Sequence, residues 1–581
     1  MIGLISATAA GAAARDRLAA AWPDRARVFE GPTVADAVRR AFAECDRLVC
    51  FLATGATVRI VAPLLTGKAA DPGVVCVDEA QRHAVSLLGG HAGGANELAH
   101  AVADALPGCR PVITTATDAV SVPGLDTLGW PVEGAVAAVS RALLDGEPVR
   151  LVSPAVHPLP ALPPNVTATA DGGGGDAESL GDAGSAGSEV ALLVSDETVA
   201  PGPRQAVLRP PTLTVGVGAS RGVSAQEVLD LVGRSLAAAG LSPRSVAALA
   251  TVDAKAGEAG LLAAAERLGV PLRTHPAPVL AAVPVPNPSA APQAAVGTPS
   301  VAEAAALHGA GDGARLVVQK QKSAMATCAV ARSRPRGRLA VVGLGPGARD
   351  LLTPRARDEL RRASVVVGLD QYVEQIRDLL RPGTRVLASG LGAEEERART
   401  AVAEAREGRA VALIGSGDAG VYAMASPALA EASADIDVVG VPGVTAALAA
   451  AALLGAPLGH DHVSVSLSDL HTPWEVIERR VRACAEADLV VTFYNPRSRG
   501  RDWQLPKALG LLAEHRAPGT PVGVVRNASR PGERVTLTTL EALDPASVDM
   551  MTVVTVGNTA TRAVAGRMVT PRGYRWQEAG A

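Results

Sequence analysis

The sequence predicts a multidomain α/β protein, and three observations carry that expectation. Its 581 residues exceed what one core holds; at ~150 residues per domain they make about four. Every region alternates short β-branched runs with Ala-, Leu- and Arg-rich helical patterns, as layered α/β folds do. Glycine-rich turns repeatedly follow the strand-like runs. Hydrophobic residues at 48% and charged residues at 19% supply several cores and exclude a wholly disordered chain. The 55 basic and 58 acidic side chains leave a formal charge of −3, so no global positive field draws the chain to nucleic acid. Five Trp, four Tyr and four Phe are too few for base-stacking platforms throughout.

The cysteines, Cys45, Cys50, Cys76, Cys109, Cys328 and Cys484, never form CxxC. A zinc ribbon or disulfide scaffold is not expected, nor is any protein-bound metal, and a reducing cytosol suits them. The N-terminus lacks a basic n-region and does not read as a signal peptide. The uncharged run Val441–Leu458 approaches the length of a membrane span. It is mostly alanine and is interrupted by Pro442, Gly443, Gly455 and Pro457, so a buried helix is expected. The expectation is a soluble, cytoplasmic protein.

The segment Asp171–Glu189 is rich in Gly, Ser and Asp and cannot bury a core, which marks a flexible linker. Arg332–Arg338, RSRPRGR, reads as a solvated tether rather than an anion site. These cuts give regions 1–165, 166–210 as linker and connecting segment, 211–331, and 337–577.

Along the first region, Val34, Val38 and Phe42 recur at helical spacing before a buried strand at Leu48–Leu52. Val74–Val77 and Pro111–Thr114 read as further strands. In the middle region Leu213–Val217 is a strand, and Ser224 with Glu227 forms an S-x-x-E capping box for the next helix. Ser300 and Glu303 repeat that device. Later, Thr472-Pro473-Trp474-Glu475 combines an N-cap, Pro at N1 and Glu at N3.

Chemistry concentrates in glycine turns. The strand Leu339–Val342 runs into Gly343-Leu344-Gly345-Pro346-Gly347, where ligand atoms can approach the backbone. Pro346 removes a donor, and Ala348 stands where a third glycine of GxGxxG would be, which argues against a nicotinamide fold. A second turn after Ala410–Ile414 carries Gly415-Ser416-Gly417-Asp418. Asp418 either pairs with a cationic or polyhydroxyl ligand or caps the following helix. A third turn, Pro442-Gly443-Val444-Thr445-Ala446, opens the Ala-rich helix. Three turns at strand C-termini would converge on one edge of a parallel sheet, where open α/β sheets bind ligands.

The motifs GLGPGARDLLTP, GSGDAGVYAMA, PGVTAALAAAALLGAPLGHD, SLSDLHTPWEVIERR, FYNPRSRGRDWQL and DMMTVVTVGN resemble precorrin-3B C17-methyltransferase of cobalamin biosynthesis. The resemblance spans residues 337–574. It implies a two-lobed tetrapyrrole methylase that uses S-adenosyl-L-methionine, takes a precorrin or cobalt-precorrin, and pairs as a homodimer. On motif-matched positions it implies Gly343, Gly345 and Gly347 on the substrate side. The donor side would be Pro346, Ser416, Gly417, Asp418, Thr445, Ala446, Asn495 and Asn527. Ala423 stands where glycine is expected in GVYG and would tighten that loop. Ring contraction needs proton movement, and His460, Asp461 and His462 are candidates by residue type, although polar residues leaving a helix end is the plainer reading.

In the first region, Gly89-Gly90-His91-Ala92-Gly93-Gly94-Ala95-Asn96-Glu97 brackets one histidine with glycine pairs, which would leave the imidazole open as a ligand or proton-transfer group. Asp78-Glu79 and Thr114-Thr115-Ala116-Thr117-Asp118 end two strands; either their side chains meet at one sheet edge, or the acids are helix caps. The strings SLLGGHAGGANELAH, PVITTATD, TVGVGASRGVSAQEVLDLV, VPNPS, VGTPSVAEAAAL and VVQKQKSAMATCAVAR resemble cobalt-precorrin-5A hydrolase. That family opens a lactone on the contracted macrocycle and releases acetaldehyde. Ala219 stands where cysteine is common. Lactone opening needs a base and cationic clamps; His91 is the candidate base, Glu97 its partner, and Arg221, Lys320 and Lys322 the candidate carboxylate ligands. The alternative is a methylase whose first half only binds the corrinoid.

Overall fold

The computed structural model describes residues 1–67, 70–90, 93–115, 122–168, 189–498 and 500–573. It divides into two compact units: one of residues 1–156, 162–335 and 381–383, the other of 157–161, 336–380 and 384–581.

The first unit holds three sheets. A six-stranded sheet runs in the order Ala26–Val28, Ile2–Ser6, Arg47–Phe51, Gly73–Val77, His83–Leu88, Arg110–Val112. All its pairings are parallel except the hairpin joining Gly73–Val77 to His83–Leu88. That hairpin corrects one expectation. Asp78 accepts from the His83 amide at 2.7 Å inside the turn, and Glu79 accepts from Thr8 Oγ1 at 2.9 Å. Because His83–Leu88 runs back, Thr114 and Thr115 leave the last strand at the opposite end of the sheet from Asp78. The strand expected at Pro111–Thr114 is Arg110–Val112. Thr117, Asp118, His91 and residues 171–188 of the linker lie outside the described residues.

A second, five-stranded sheet is built from Val132–Gly134, Gln205–Leu208, Ala191–Val194, Val149–Val152 and Val166–Ala168. A third runs Leu272–His275, Val246–Val252, Leu213–Ala219, Ala326–Arg332, Arg315–Lys322. Ser224 and Ser300 each accept the amide three residues on, from Glu227 at 3.1 Å and Glu303 at 3.3 Å. The reciprocal half of both capping boxes is absent. Glu227 instead accepts from Ser323 Oγ and the Met325 amide, which holds its carboxyl below its ordinary value. Glu303, fully buried, accepts from the Asn287 amide, Asn287 Nδ2 and the Lys320 amide at 2.8–3.0 Å. A buried carboxylate needs such donors, and tertiary partners supply them better than the helix's own end.

In the second unit an all-parallel sheet runs Arg385–Ser389, Val365–Leu369, Ala410–Gly415, Arg338–Gly343, Asp437–Val441. Both faces are buried, as parallel sheets require. Leu339, Val341, Val411 and Leu413 pack on the helix Glu394–Arg406, while Val342, Ala412 and Ile414 pack with Leu360 and Val373 on the other side. A second sheet, His462–Ser466, Val490–Tyr494, Thr552–Val556, Pro521–Arg526, Arg534–Thr539, surrounds a core with Phe493, Ile477, Val481 and Leu512. These are two lobes.

Three further expectations change. Three of the arginines in RSRPRGR are paired rather than solvated. Arg332 bonds Asp196 at 2.8 Å, Arg336 bonds the Ala434 carbonyl at 2.7 Å, and Arg338 bonds the buried Glu359 at 2.8 Å. The helix within Val441–Leu458 is Ala446–Leu454, and it is buried on one side only: Leu448 and Leu453 are exposed. Pro473, not Thr472, occupies the N-cap of Trp474–Glu486, and no side chain caps there. Among the described residues no helix is long and apolar enough to cross a membrane.

Candidate active site

The three glycine turns of the second unit meet backbone to backbone. Gly345 and Gly417 exchange hydrogen bonds, Gly345 N to Gly417 O at 3.0 Å and Gly417 N to Gly345 O at 2.8 Å. A Cβ on Gly443 would lie 2.2 Å from Gly417 O and 2.7 Å from Gly343 O. A Cβ on Gly343 would lie 2.7 Å from Gly417 O. Gly345 and Gly417 also hold φ of 72° and 68°, which side-chain-bearing residues rarely adopt. Glycine is therefore required here by approach and by conformation together.

Asp418 ties the second turn to the third. Its carboxylate accepts from the Gly420 amide at 2.8 Å and the Gly443 amide at 3.0 Å. The cap reading fails, since the following helix, Ala425–Glu431, starts from Met424 without a side-chain cap. Thr445 stands at the N-cap of Ala446–Leu454, yet a phenol does the capping: Tyr494 Oη accepts from the Ala447 amide at 2.8 Å and lies 2.6 Å from Thr445 Oγ1. A Cβ built on Gly415 would lie 3.8 Å from Ala423 Cβ, an ordinary contact.

The second lobe grips these turns. Arg530 donates from Nε to the Pro346 carbonyl and from Nη2 to Ser416 Oγ at 2.7 Å. A Cβ on Gly347 would lie 2.5 Å from Arg530 Cγ, so the glycine makes room for the arginine. In the other direction Tyr422 Oη donates to the Ser464 carbonyl at 2.7 Å, and its ring centre is 5.2 Å from that of Tyr494. Burial raises the Tyr422 hydroxyl above its ordinary pKa.

Asn495 donates from Nδ2 to Ser466 Oγ at 3.1 Å, and its carbonyl accepts from the buried Arg501, which burial holds below the usual guanidinium value. The Asn527 side chain folds onto its own turn, toward the Pro531 carbonyl at 3.4 Å. Tyr422, Asn495, Asn527 and Ser529 all hold positive φ, between 49° and 57°. Each such residue costs on the order of 1–3 kcal/mol, and such strain clusters at functional sites.

His460 and Asp461 do not join this group. They precede the strand His462–Ser466, while the turns gather beyond its far end; the five-residue strand separates the two, rising roughly 13 Å from its first Cα to its last. His460 Nδ1 accepts from the Asp461 amide at 2.7 Å, and both side chains are exposed.

In the first unit the glycines after Leu88 pack a loop onto a strand. A Cβ on Gly93 would meet Gly73 N at 2.7 Å, and one on Gly94 would meet the Arg47 guanidinium at 2.6 Å. Asn96 is the engaged polar residue: it is buried, its Oδ1 accepts from Ser86 Oγ at 2.7 Å, and its Nδ2 donates to Thr115 Oγ1 at 3.1 Å. Glu97 next to it is exposed. Lys320 donates its ammonium to the Asn287 carbonyl. Arg221 is exposed beside Glu258, which accepts from the Gly222 amide at 2.7 Å and from Lys255 at 3.0 Å.

Sequence reasoning passed over Arg530, Tyr494, Tyr422 and Asn96. The last three stand inside quoted motifs beside the residues chosen, so position within the motif was the available signal. Arg530 carried none, because its partners are over a hundred residues away in the chain.

Residues 338–544 match the family described as tetrapyrrole (corrin/porphyrin) methylases. The probable cobalt-factor III C(17)-methyltransferase of Salmonella typhimurium is 47% identical over 239 residues, 41% of this chain and 99% of that protein. This chain belongs to the tetrapyrrole methylase family. The precorrin-3B C(17)-methyltransferase of a Sinorhizobium species is 41% identical over 234 residues, 39% of this chain and 91% of that protein. The cobalt-factor III methyltransferase of Priestia megaterium is 41% identical over 249 residues, and there the match spans only 46% of the relative. Residues 213–331 match the family described as cobalamin synthesis G C-terminus, and residues 36–118 its N-terminal counterpart. The three glycine turns and Arg530 all lie inside the methylase match.

Proposed function

We propose that the chain methylates C17 of precorrin-3B or its cobalt counterpart, with contraction of the ring, in cobalamin biosynthesis. The observation that carries this reading is the backbone junction of Gly343, Gly417 and Gly443 inside a methylase match. S-adenosyl-L-methionine, bound there, supplies an electrophilic methyl group on a sulfonium. The fit is physical: a Cβ on Gly417 would stand 3.6 Å from Thr445 Cα and 3.7 Å from Ala446 N, filling the gap between the second and third turns. Backbone and small side chains line that gap, so a flat nucleoside can lie against them. Gly417, Asp418, Thr445 and Ala446 are the residues assigned to hold the donor, with Ser416, Pro346, Asn495 and Asn527 at its margins. Gly343, Gly345 and Gly347 face the acceptor.

Methyl transfer by in-line displacement asks a site to align two reactants and exclude water. Asp418, braced by two amides, fixes the donor turn; Tyr494 fixes the start of Ala446–Leu454. Proton movement during contraction we assign to the acids within this edge, Asp418, Tyr422 and Tyr494, in preference to His460 and Asp461.

The first unit, by its two family matches, we assign to opening of a lactone with release of acetaldehyde, with His91 as base and Arg221 and Lys320 as carboxylate ligands. The protein acts in the cytosol, and it pairs as a homodimer through the methylase region, where Leu448 and Leu453 stand exposed. The test is one incubation in two arms. Protein and donor are mixed with metal-free or cobalt-loaded trimethylated substrate, and product mass and acetaldehyde are followed. A mass gain of one methyl group in at least one arm is expected; none in either overturns the methylase assignment. Methylation without acetaldehyde, when an authentic lactone is also supplied, leaves the first unit as a corrinoid-binding module.

A further inference from the structure

Arg530 is the cation that reaches the glycine turns from the other lobe. It arrives from the turn after strand Pro521–Arg526 and reaches two separate glycine turns of the other lobe. Nε bonds the Pro346 carbonyl in the first turn, between Gly345 and Gly347, the glycines assigned to the acceptor; Nη2 bonds Ser416 Oγ in the second, donor turn, 2.7 Å away. The turn that carries it is held in place. Asn527 and Ser529 adopt φ of 52° and 57°, and Ser529 N donates to Glu533 at 2.6 Å. Ser529 Oγ also accepts from the Ala348 amide at 3.4 Å, so the turn docks on the same loop as Arg530. Gly347 leaves the space in which the Arg530 stem lies. The remaining nitrogen, Nη1, has no hydrogen-bond partner among the described residues. No ion pair joins a carboxylate among them to the guanidinium, whereas Arg336, Arg338 and Arg526 of this unit each have one. A half-buried cation with one edge committed and the other open suits an anionic ligand.

We propose that Arg530 couples the two reactants: it holds the Pro346 and Ser416 turns in fixed register while Nη1 takes a peripheral carboxylate of the tetrapyrrole. The proposal rests on the methylase function above and names the residue that recognises its acceptor. Lysine cannot reproduce it, because one ammonium cannot span a carbonyl, a hydroxyl and a carboxylate in the plane that a guanidinium provides. Arg530 is a positioning residue for the donor turn and a binding residue for the acceptor, so its removal must act on both KM and kcat.

The experiment compares wild type with Arg530→Met, Arg530→Lys and Ser416→Ala, each checked for an unchanged far-ultraviolet spectrum and melting. Binding of S-adenosylhomocysteine is measured by calorimetry, and methyl transfer by steady-state kinetics. Expected for Arg530→Met is an acceptor KM raised about tenfold and a kcat lowered about tenfold or more, with S-adenosylhomocysteine affinity within about threefold. Arg530→Lys should recover the KM but not the kcat. Ser416→Ala should lower kcat with KM unchanged, and it decides the matter if Arg530→Met does not fold. Wild-type KM and kcat in Arg530→Met, or in Ser416→Ala should that variant be the only one folded, overturn the proposal alone. A wild-type chain that binds S-adenosylhomocysteine but methylates neither acceptor overturns the proposed function, and this inference with it.

Discussion

Both halves of the chain carry a dense glycine motif, and the two use glycine differently. In the methylase region the glycines come from three separate strand ends, and Gly343 and Gly443 exclude a Cβ because another turn's backbone is there: Gly443 against Gly417 and Gly343, Gly343 against Gly417. In the first region Gly89, Gly93 and Gly94 belong to one loop, and they exclude a Cβ because the loop lies on Gly73 and Arg47 of neighbouring strands. Convergence of turns makes a cradle at the edge of a sheet. Packing of a loop makes a tight connection. The sequence pattern is similar, and only the partners distinguish them.

The largest expected effect breaks the cradle. Gly443→Ala places a methyl group 2.2 Å from Gly417 O, a contact that neither rigid backbone can relieve. Donor affinity should fall by about a hundredfold or more, read by calorimetry with S-adenosylhomocysteine. Acetaldehyde release by the other unit should be unchanged. Gly93→Ala is the matched change, with its methyl 2.7 Å from Gly73 N. It should loosen residues 73–105 in hydrogen exchange while leaving methyl transfer at the wild-type rate. Loss of donor binding in Gly93→Ala would mean the two motifs are not independent.

A smaller effect sharpens the cradle's chemistry. Asp418 accepts from two amides, Gly420 and Gly443. Asn keeps one acceptor and turns an NH2 toward the other amide. Donor affinity in Asp418→Asn should weaken about tenfold, near the cost of one partly buried hydrogen bond turned repulsive. Equal affinity would remove Asp418 from the brace.

What was legible follows the same divide. Strand ends and glycine turns are local signals, so the parallel sheet and the convergence of its turns could be read directly: Leu339–Val342 and Ala410–Ile414 each lead into a turn that meets the others. Tertiary partners were not local. Glu227 and Glu303 look like capping-box acids, yet they turn to Met325 and to Asn287, 98 and 16 residues away. Arg332, Arg336 and Arg338 look like a solvated tether because sequence does not reveal Asp196, Ala434 and Glu359. His460 and Asp461 sit in a motif by chain order, but a strand carries the chain away from them before it reaches the site.

The first region offers a comparison of neighbours. Asn96 is buried with Ser86 and Thr115 as partners, while Glu97 is exposed. Asn96→Ala leaves Ser86 Oγ and Thr115 Oγ1 without that partner and should cost about 1–3 kcal/mol of local stability. Glu97→Ala should cost about 0.5 kcal/mol or less. Hydrogen exchange over residues 83–105 resolves the two, and it avoids assuming that a multidomain chain unfolds in two states. If Glu97→Ala instead stops acetaldehyde release with the protection intact, Glu97 acts chemically rather than structurally.

The smallest effect separates the halves by pH. His275 ends the edge strand Leu272–His275, and its Nε2 is buried without a hydrogen-bond partner among the described residues. Burial lowers its pKa below 6.5, and His308, whose ring lies edge-on at 4.7 Å, and Arg273 lower it further against the opposing pull of Asp253. The unfolded segment therefore binds a proton more readily than the folded one, so stability from neutral His275 is complete above pH 6.5 and is lost as pH falls through the folded value. In the methylase region Asp549 is raised by burial, but bonds from Arg526 and Thr552 bring it below its ordinary 3.8. Its contribution is complete above pH 3.8 and declines only below that. Between pH 6.5 and 5, protection should fall over residues 213–331 in wild type and hold over 521–556. His275→Gln, which carries no titrating proton, should flatten the first response and leave the second untouched. An unchanged decline over 213–331 in that variant would assign the pH dependence to another group.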